Sequence, residues 1–547
     1  HWNSISRSRM RSSCPSYATA ATATCRRVFF RPDFVHAEVS IICSSDFSRE
    51  HRQFATKVAA TNTCNSLCVH CAPARVPYEP SDIHIFHGAS IDMSPSAQRR
   101  RRRKKRLPEE LVEVTVESLS DEGRGIAHVD QRPVFIDQAL AGERVRFKYT
   151  RLTSKVAEGR TEEVLEASAD RVEPECSAFG RCGGCSLQHL DSRAQILLKQ
   201  QTLLKHLQHI GNVVPEHVLE PITGDVWGYR SKARLGVRYV AKKDRVLVGF
   251  RERGSSFITE TEYCKILHPD VGEIITELAD CISQLELKQR IPQIEVAAGD
   301  NQTVLVVRHL DAMADPDREK LVALTKTHGL TILLQAGSPD DLEPLWPQNC
   351  DPLYYVLDDF DIRIEFQPGD FTQVNNEINR KMIKRAIEFL RLDAGDSVLD
   401  LFCGLGNFTL PVSRYCANVT GVEGSLVMVN KARANAGLNN ISNASFHYAD
   451  LYSDEVKDTQ WVKQQYNKIL LDPPRSGAAG ILQYLKRMKA ERIVYVSCHP
   501  ATLARDAGVL VNELGYRLTH AGVTVSYTHL TLPTTCNLCR SRWSPYH

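Results

Sequence analysis

The chain has 547 residues, 42% hydrophobic and 24% charged, with a formal net charge of only +3. That balance suits a globular protein of three or four domains at roughly 150 residues each, and it excludes a polycation. No apolar run approaches the roughly 18 residues that span a membrane, so a soluble, cytoplasmic chain without a membrane partner is expected. The 17 cysteines fit metal ligation and catalysis in a reducing compartment better than disulfide staples.

Residues 1–92 form an unpatterned leader. Its first thirty residues are rich in Arg, Ser, Ala and Thr, with no acid before Asp33. This suits a transit peptide. The missing periodicity and the start at His1 point instead to non-native or disordered sequence, with Met93 as the candidate start. Cys64, Cys68 and Cys71 have the spacing of a radical S-adenosylmethionine motif, but no repeated βα units follow, so the match is read as coincidence. Residues 93–107 are a basic arm. Arg99 to Arg106 reads RRRRRKKR, a run that repels itself and is either a solvated tail or an arm neutralising RNA phosphates.

Residues 108–170 alternate polar and apolar over short stretches separated by turns. Val112 to Glu117, Ala127 to Val129, Val134 to Ile136, Arg144 to Lys148 and Ala157 to Val164 predict five strands, the pattern of a small OB-like barrel. Such barrels bind single-stranded nucleic acid or dock proteins. Residues 171–366 mix helix and strand in an α+β domain. Leucine spacing predicts a helix over Leu197 to Ile210, and Tyr229 to Arg238 reads as a strand with one charged face. That face suits phosphate or is merely exposed. Cys176, Cys182 and Cys185 are three closely spaced thiols, and spacing alone leaves zinc open.

Residues 367–523 predict an α/β, doubly wound parallel sheet of Rossmann-like type. The strand Ser397 to Phe402 runs into a turn containing Gly404 and Gly406, and the next strand ends at Glu423. An acid at that tip suits a ribose, and no third glycine is present for a pyrophosphate. The pattern favours S-adenosylmethionine over NAD. Asp450, after the next strand, is placed to reach the adenine amine. Asp472 of Asp-Pro-Pro and Cys498 fall at two further strand ends, so all converge on one crevice. A thiolate adding to carbon 6 of a uracil makes carbon 5 nucleophilic enough to attack a sulfonium methyl. This chemistry asks for a cysteine of lowered pKa and a base flipped out of its stack. Cys403, inside the glycine turn, is expected to pack.

The blocks GDFTQVN (369–375), VLDLFCGLGNFTLP, GVEG, LLDPPRSGAAG and VSCHPATLARD resemble the RlmD (RumA) family of 23S ribosomal RNA uracil-carbon-5 methyltransferases from about Leu111 to Val523. The related TrmA group, which acts on tRNA, shares the catalytic half. The resemblance implies a TRAM barrel at 108–170 and 23S ribosomal RNA as partner of a monomer. It implies Cys498 as nucleophile, with S-adenosylmethionine contacts at Gln373, Phe402, Asn407, Glu423, Asp450 and Asp472. It also implies a [4Fe-4S] cluster on Cys176, Cys182, Cys185 and Cys264. Two departures stand out. His499 replaces the family's Asn, and residues 524–547 match nothing in the family, so its proton-accepting glutamate and final antiparallel strand are expected to be missing. An impaired enzyme that retains its RNA adduct is the expected result. The rivals are an amino-group methyltransferase, disfavoured by Arg475 where an aromatic would stand, and a non-catalytic RNA-binding protein.

Overall fold

Alternation of buried and exposed side chains builds the first sheet from short strands. A computed structural model describes residues 107–338, 341–529 and the backbone of 534–540. The leader, the basic run at Arg99 to Arg106 and the Cys64, Cys68, Cys71 spacing lie outside these residues. The sheet comprises β1 (Val112–Thr115), β2 (Ser118–Leu119), β3 (Gly125–Val129), β4 (Arg132–Asp137), β5 (Arg144–Leu152) and β6 (Ala157–Glu166) in the order β1-β5-β6-β4-β3-β2. It has six strands rather than the expected five, because Ser118–Leu119 pairs with β3. Val116, Ala127, Val134, Ile136, Val145 and Phe147 fill its core.

The barrel is tied down by charge. Arg171 donates to both oxygens of the fully buried Glu143 at 2.5 and 2.8 Å and to the Gln138 carbonyl at 2.8 Å. Asp121 meets His206 at 2.7 Å on the helix Ser192–His209. That helix begins where Asp191 accepts from the Arg193 and Ala194 N–H groups, satisfying donors that the first helical turn leaves free.

After β7 (His217–Val218), a second sheet contains β8 (Lys232–Val240), β9 (Arg245–Gly249), β10 (Gln293–Ala298), β11 (Thr303–Arg308), β12 (Thr331–Gln335) and β13 (Leu342–Trp346) in the order β13-β12-β11-β10-β8-β9. The charges of β8 are largely spent inside the protein. Arg234 pairs with Glu295, and Lys232 donates to the Asp370 carbonyl. Burial lowers the Lys232 ammonium to about 8. Of the basic side chains of β8, Lys232 and Arg234 thus have partners inside the protein, while Arg238 is exposed.

The hairpin β14 (Leu353–Leu357) and β15 (Ile362–Phe366) leads to the third sheet. Its members are β16 (Ser397–Leu401), β17 (Asn418–Glu423), β18 (Ala444–Tyr448), β19 (Lys468–Leu471), β20 (Arg492–Ser497), β21 (Tyr516–Val523) and β22 (Thr534–Arg540), joined by β7. The order is β18-β17-β16-β19-β20-β22-β21-β7. The first five positions are parallel; β16, β17, β19 and β20 are apolar and buried on both faces as covering helices require, whereas the edge strand β18 is largely exposed. Strand β22 lies antiparallel between β20 and β21. The final antiparallel strand is therefore present, contrary to expectation. Off-family residues suffice because ladder pairing is a backbone property.

The helix Pro500–Asn512 crosses Ser192–His209 through two glycines. A Cβ at Gly508 would lie 2.7 Å from the Gly211 carbonyl oxygen, and Asn512 donates to that same oxygen at 3.1 Å. Neither backbone yields easily, so Gly508→Val is expected to lower stability by about 1–3 kcal/mol. Thermal unfolding checks this; an unchanged Tm contradicts it.

Candidate active site

Parallel register delivers the site. Leu401 pairs with Val422 on one side and Leu471 on the other, and Leu471 pairs with Tyr495. Four neighbouring strands thus end together, at Phe402, Glu423, Asp472 and Cys498. In open parallel sheets this carboxyl edge is where ligands bind.

The turn after β16 is strained and braced. Phe402 has φ +68°, and Gly404 and Gly406 have φ +55° and +91°. A bulky residue in the left-handed region costs roughly 1–3 kcal/mol and persists only when its surroundings enforce it. Here the Phe402 and Cys403 N–H groups both donate to the Val422 carbonyl, at 2.9 and 3.1 Å. Glu423 accepts from the N–H of Gly404 and of Ser425, each at 3.1 Å. Burial still pushes its carboxyl up. Cys403 is buried in the core below and packs as expected. Asp450 is exposed beyond β18 and accepts from the Tyr452 N–H at 3.0 Å. Gln373 is half-buried in the loop before the helix Asn376–Leu390. Asn407 is otherwise engaged: its carbonyl accepts from Tyr355 at 2.8 Å and Asn379 at 2.9 Å, and its amide donates to Asn379 at 3.0 Å.

Asp400 was not singled out in the sequence, although an acid inside an apolar strand is a visible signal. It is 1% exposed, accepts from the Thr409 hydroxyl at 2.6 Å and leaves its second oxygen without a partner. Burial first, opposed by Thr409, and then the charges of Asp472 and Glu423 bring its carboxyl to about 7. Asp472 reaches about 7 through burial alone; its residue retains some accessible surface, but the carboxyl itself is desolvated. Tyr452 is also new. Its ring stands 6.0 Å from Phe402, and its hydroxyl donates to the Gly477 carbonyl at 2.8 Å.

Cys498 is half-buried rather than walled off. Its thiol is pushed up, by burial first and then by Asp472, with Arg475 pulling the other way. The expected low-pKa cysteine is therefore not found in the free chain, because desolvation and a neighbouring acid outweigh one guanidinium. His499 caps the next helix by accepting from the Thr502 N–H at 3.3 Å, a task that Asn also performs. Asp506, on the helix after Cys498, is fully buried and committed to the loop. It accepts from Tyr495 at 2.6 Å and the Ala478 N–H at 2.7 Å. Glu491 precedes β20 at the opposite end of the strand.

Cys176, Cys182, Cys185 and Cys264 line a single pocket, with Phe179, Phe250 and Ile266 around them. Burial raises the Cys182, Cys185 and Cys264 thiols, Cys264 to about 11, and the charges of neighbouring thiols raise each further. Among the described residues, no three His, Cys, Asp or Glu side chains converge as the ligands of a metal ion.

A braced glycine turn, an acid on the second strand and convergent strand tips define a Rossmann-like methyltransferase. Residues 195–520 match the tRNA (Uracil-5-)-methyltransferase family, and residues 105–161 match the TRAM domain. The chain is 50% identical over 430 residues to the 23S rRNA (uracil(1939)-C(5))-methyltransferase RlmD of Nitrosococcus oceani, covering 78% of this chain and 96% of that one. It is also 50% identical over 434 residues to RlmD of Hahella chejuensis, covering 78% and 97%. The crystal structure of Pyrococcus abyssi tRNA (uracil-54, C5)-methyltransferase in complex with S-adenosyl-L-homocysteine shares the fold, with TM-score 0.61 and 21% identity over 78% of this chain and 100% of that one. The chain belongs to the RNA (uracil-5-)-methyltransferase family.

The raised Asp400 carboxyl carries a pH signature. Its folded value of about 7 lies above the ordinary 3.8, so the folded state binds the extra proton. The stability linked to that proton is fully present below about 3.8 and is lost as pH rises through about 7. Asp400→Asn removes the titration and is expected to raise Tm at pH 8 relative to the parent, with the gain shrinking toward pH 4. Equal Tm differences at both pH values contradict this.

Proposed function

We propose that this chain transfers a methyl group from S-adenosylmethionine to carbon 5 of a uridine in 23S ribosomal RNA, through a covalent bond between that uracil and Cys498. The observation that carries the reading is the placing of a half-accessible Cys498 beside Asp472 and Arg475, at the edge where Glu423 closes the glycine turn. The chain is an S-adenosylmethionine-dependent RNA methyltransferase, as its family membership implies.

S-adenosylmethionine supplies an electrophilic methyl at this edge. Glu423, held by backbone donors, is assigned to the ribose hydroxyls. Gly404, Gly406 and Phe402 admit the ligand close to the backbone, with Gln373 and Asp450 at its flanks. Asn407 acts through Asn379 and Tyr355 to fix the turn. Cys498 gives its proton to water and bonds carbon 6 of the flipped uracil. Carbon 5 then takes the methyl, leaving S-adenosylhomocysteine, and afterwards gives its own proton to water as the bond from carbon 6 to Cys498 breaks and its electron pair returns to sulfur. Arg475 favours the thiolate that starts this sequence. Asp472, its carboxyl raised to about 7 by burial, is only partly ionised near neutral pH and can donate a hydrogen bond to the uracil as well as accept one.

Release is the weak step. Asp506 is spent within the fold and Glu491 lies at the opposite end of β20, so neither is assigned as the acceptor of the carbon-5 proton. Slow release of the adduct follows. The domain limits 108–170, 171–366 and 367–523 separate RNA docking, thiol pocket and chemistry in this reading. The expected setting is a cytoplasmic monomer; no described helix is long and apolar enough to cross a membrane.

The four thiols are read as ligands of a [4Fe-4S] cluster, with a four-cysteine zinc site as the rival. Four cysteines around one apolar-walled pocket match the four-thiolate complement of a cluster. Cys176, Cys182, Cys185 and Cys264 would hold it. It would supply a rigid anionic core rather than electrons, because methyl transfer is redox-neutral.

Denaturing electrophoresis with labelled ribosomal RNA fragments tests the reading. The parent chain should retain a denaturation-resistant RNA band, and Cys498→Ala should abolish both the band and methyl transfer, a loss of at least about a thousandfold. Methyl transfer by Cys498→Ala at a comparable rate contradicts the mechanism; rapid turnover by the parent with no retained band contradicts slow release.

A further inference from the structure

The loop after Asp472 hangs on three consecutive carbonyls. The Arg475 carbonyl accepts from the Thr502 hydroxyl at 3.0 Å, the Ser476 carbonyl from the Arg505 guanidinium at 2.9 Å, and the Gly477 carbonyl from the Tyr452 hydroxyl at 2.8 Å. The Ala478 N–H then donates to Asp506 at 2.7 Å. Gly477 has φ +78°, and a Cβ there would lie 2.5 Å from both Arg505 and Asp506, so the turn is seated tightly. Thr502, Arg505 and Asp506 all belong to the helix Pro500–Asn512, which begins just after Cys498. Tyr452 instead follows β18 and reaches the loop from the cofactor side.

Tyr452 has further contacts on both sides. Its N–H donates to Asp450 at 3.0 Å, and its ring lies 6.0 Å from that of Phe402 at 49°, the spacing of a paired aromatic contact. Its hydroxyl also meets the Ser476 hydroxyl at 2.8 Å. A Cβ at Gly480 would lie 3.2 Å from the Tyr452 Cα, so the backbone is held as well. Yet the residue keeps 47% of its surface exposed, so filling a core is not its task. One side chain thus joins Asp450 and Phe402, assigned to the methyl donor, to the loop of Asp472, assigned to the uracil.

We propose that Tyr452 is a positioning residue that holds the uracil and methyl-donor halves of the crevice in register. This rests on the assignment of Phe402 and Asp450 to S-adenosylmethionine and of Asp472 to the uracil. The helix after Cys498 sets the loop against the nucleophile, and Tyr452 sets it against the donor. Methyl transfer needs the reacting carbons roughly 3–3.5 Å apart, and a small misplacement costs up to about a hundredfold in rate. The two ends of the side chain act separately. Loss of the hydroxyl loosens the loop and slows transfer, whereas loss of the ring also leaves Phe402 unsupported and weakens donor binding.

Hydrogen exchange of the full chain, read by peptide mass spectrometry, tests the tie without RNA. Tyr452→Phe should speed exchange across residues 475–480 by about threefold or more, the scale on which one lost hydrogen bond shifts local opening, while the barrel exchanges as in the parent. Calorimetric binding of S-adenosylhomocysteine should stay within about twofold for Tyr452→Phe and weaken by about threefold or more for Tyr452→Leu, which also loses the aromatic pair. With ribosomal RNA fragments, Tyr452→Phe should lower the single-turnover rate of methyl transfer by about fivefold or more, while the RNA concentration for half-maximal rate stays within about twofold. Ser476→Ala keeps the donation to Gly477 and should stay within about twofold of the parent throughout. Parent-like exchange or a parent-like rate in Tyr452→Phe, or an equal loss in Ser476→Ala, overturns the proposal. Should Tyr452→Leu fail to fold, the Tyr452→Phe exchange and rate decide alone, supporting the proposal if both move as stated and overturning it if either does not. Absence of methyl transfer by the parent would instead count against the proposed function, and the exchange result would still support or overturn the tie.

Discussion

Desolvation of acids at one sheet edge is the constraint on which the site depends. Parallel pairing forces Asp400, Glu423 and Asp472 to the same side of β16, β17 and β19, where each carboxyl is pushed upward by burial. Three buried acids so close cannot all ionise cheaply. A cationic sulfonium offers compensation that water is denied the chance to give. The same negative environment keeps Cys498 a thiol until something opposes it, and Arg475 is the group at hand. The crevice is thus poised to respond to the charge of what enters it.

The supports of this edge come from far along the chain. The helix Pro500–Asn512, which begins beside Cys498, is seated on Ser192–His209 through Gly211 and Gly508. Asp506 ties that helix to Tyr495 and to the loop after Asp472. Arg253 reaches from the hairpin after β9 to Asp137 of the barrel at 3.2 Å and to the Cys185 carbonyl at 3.3 Å. Barrel, thiol loop and catalytic sheet consequently share side chains rather than standing as independent beads.

Much of this was legible in the amino-acid order because it is written in local patterns. Strict alternation marked the barrel strands, and short apolar runs ending in Gly, Glu, Asp or Cys marked the parallel sheet and its functional edge. Long-range satisfaction was not legible. Nothing near Arg234 announces Glu295, and nothing near Lys199 announces the carbonyls of Tyr527 and Thr528 more than three hundred positions later. Strand β22 escaped notice for a different reason: it pairs through its backbone, which side-chain resemblance does not report. Asp400 was overlooked because an acid in a buried strand looks like an interruption until its neighbours are known.

The most direct test of the central claim replaces the target uridine by 5-fluorouridine in a ribosomal RNA fragment, since fluorine on carbon 5 does not leave as a proton does. Incubation with the chain and S-adenosylmethionine, followed by proteolysis and mass spectrometry, should yield the peptide containing Cys498 joined to a methylated 5-fluorouridine. A cross-link borne by any other residue, or methyl transfer to unmodified RNA with no Cys498 adduct ever trapped from the fluorinated substrate, would contradict the account.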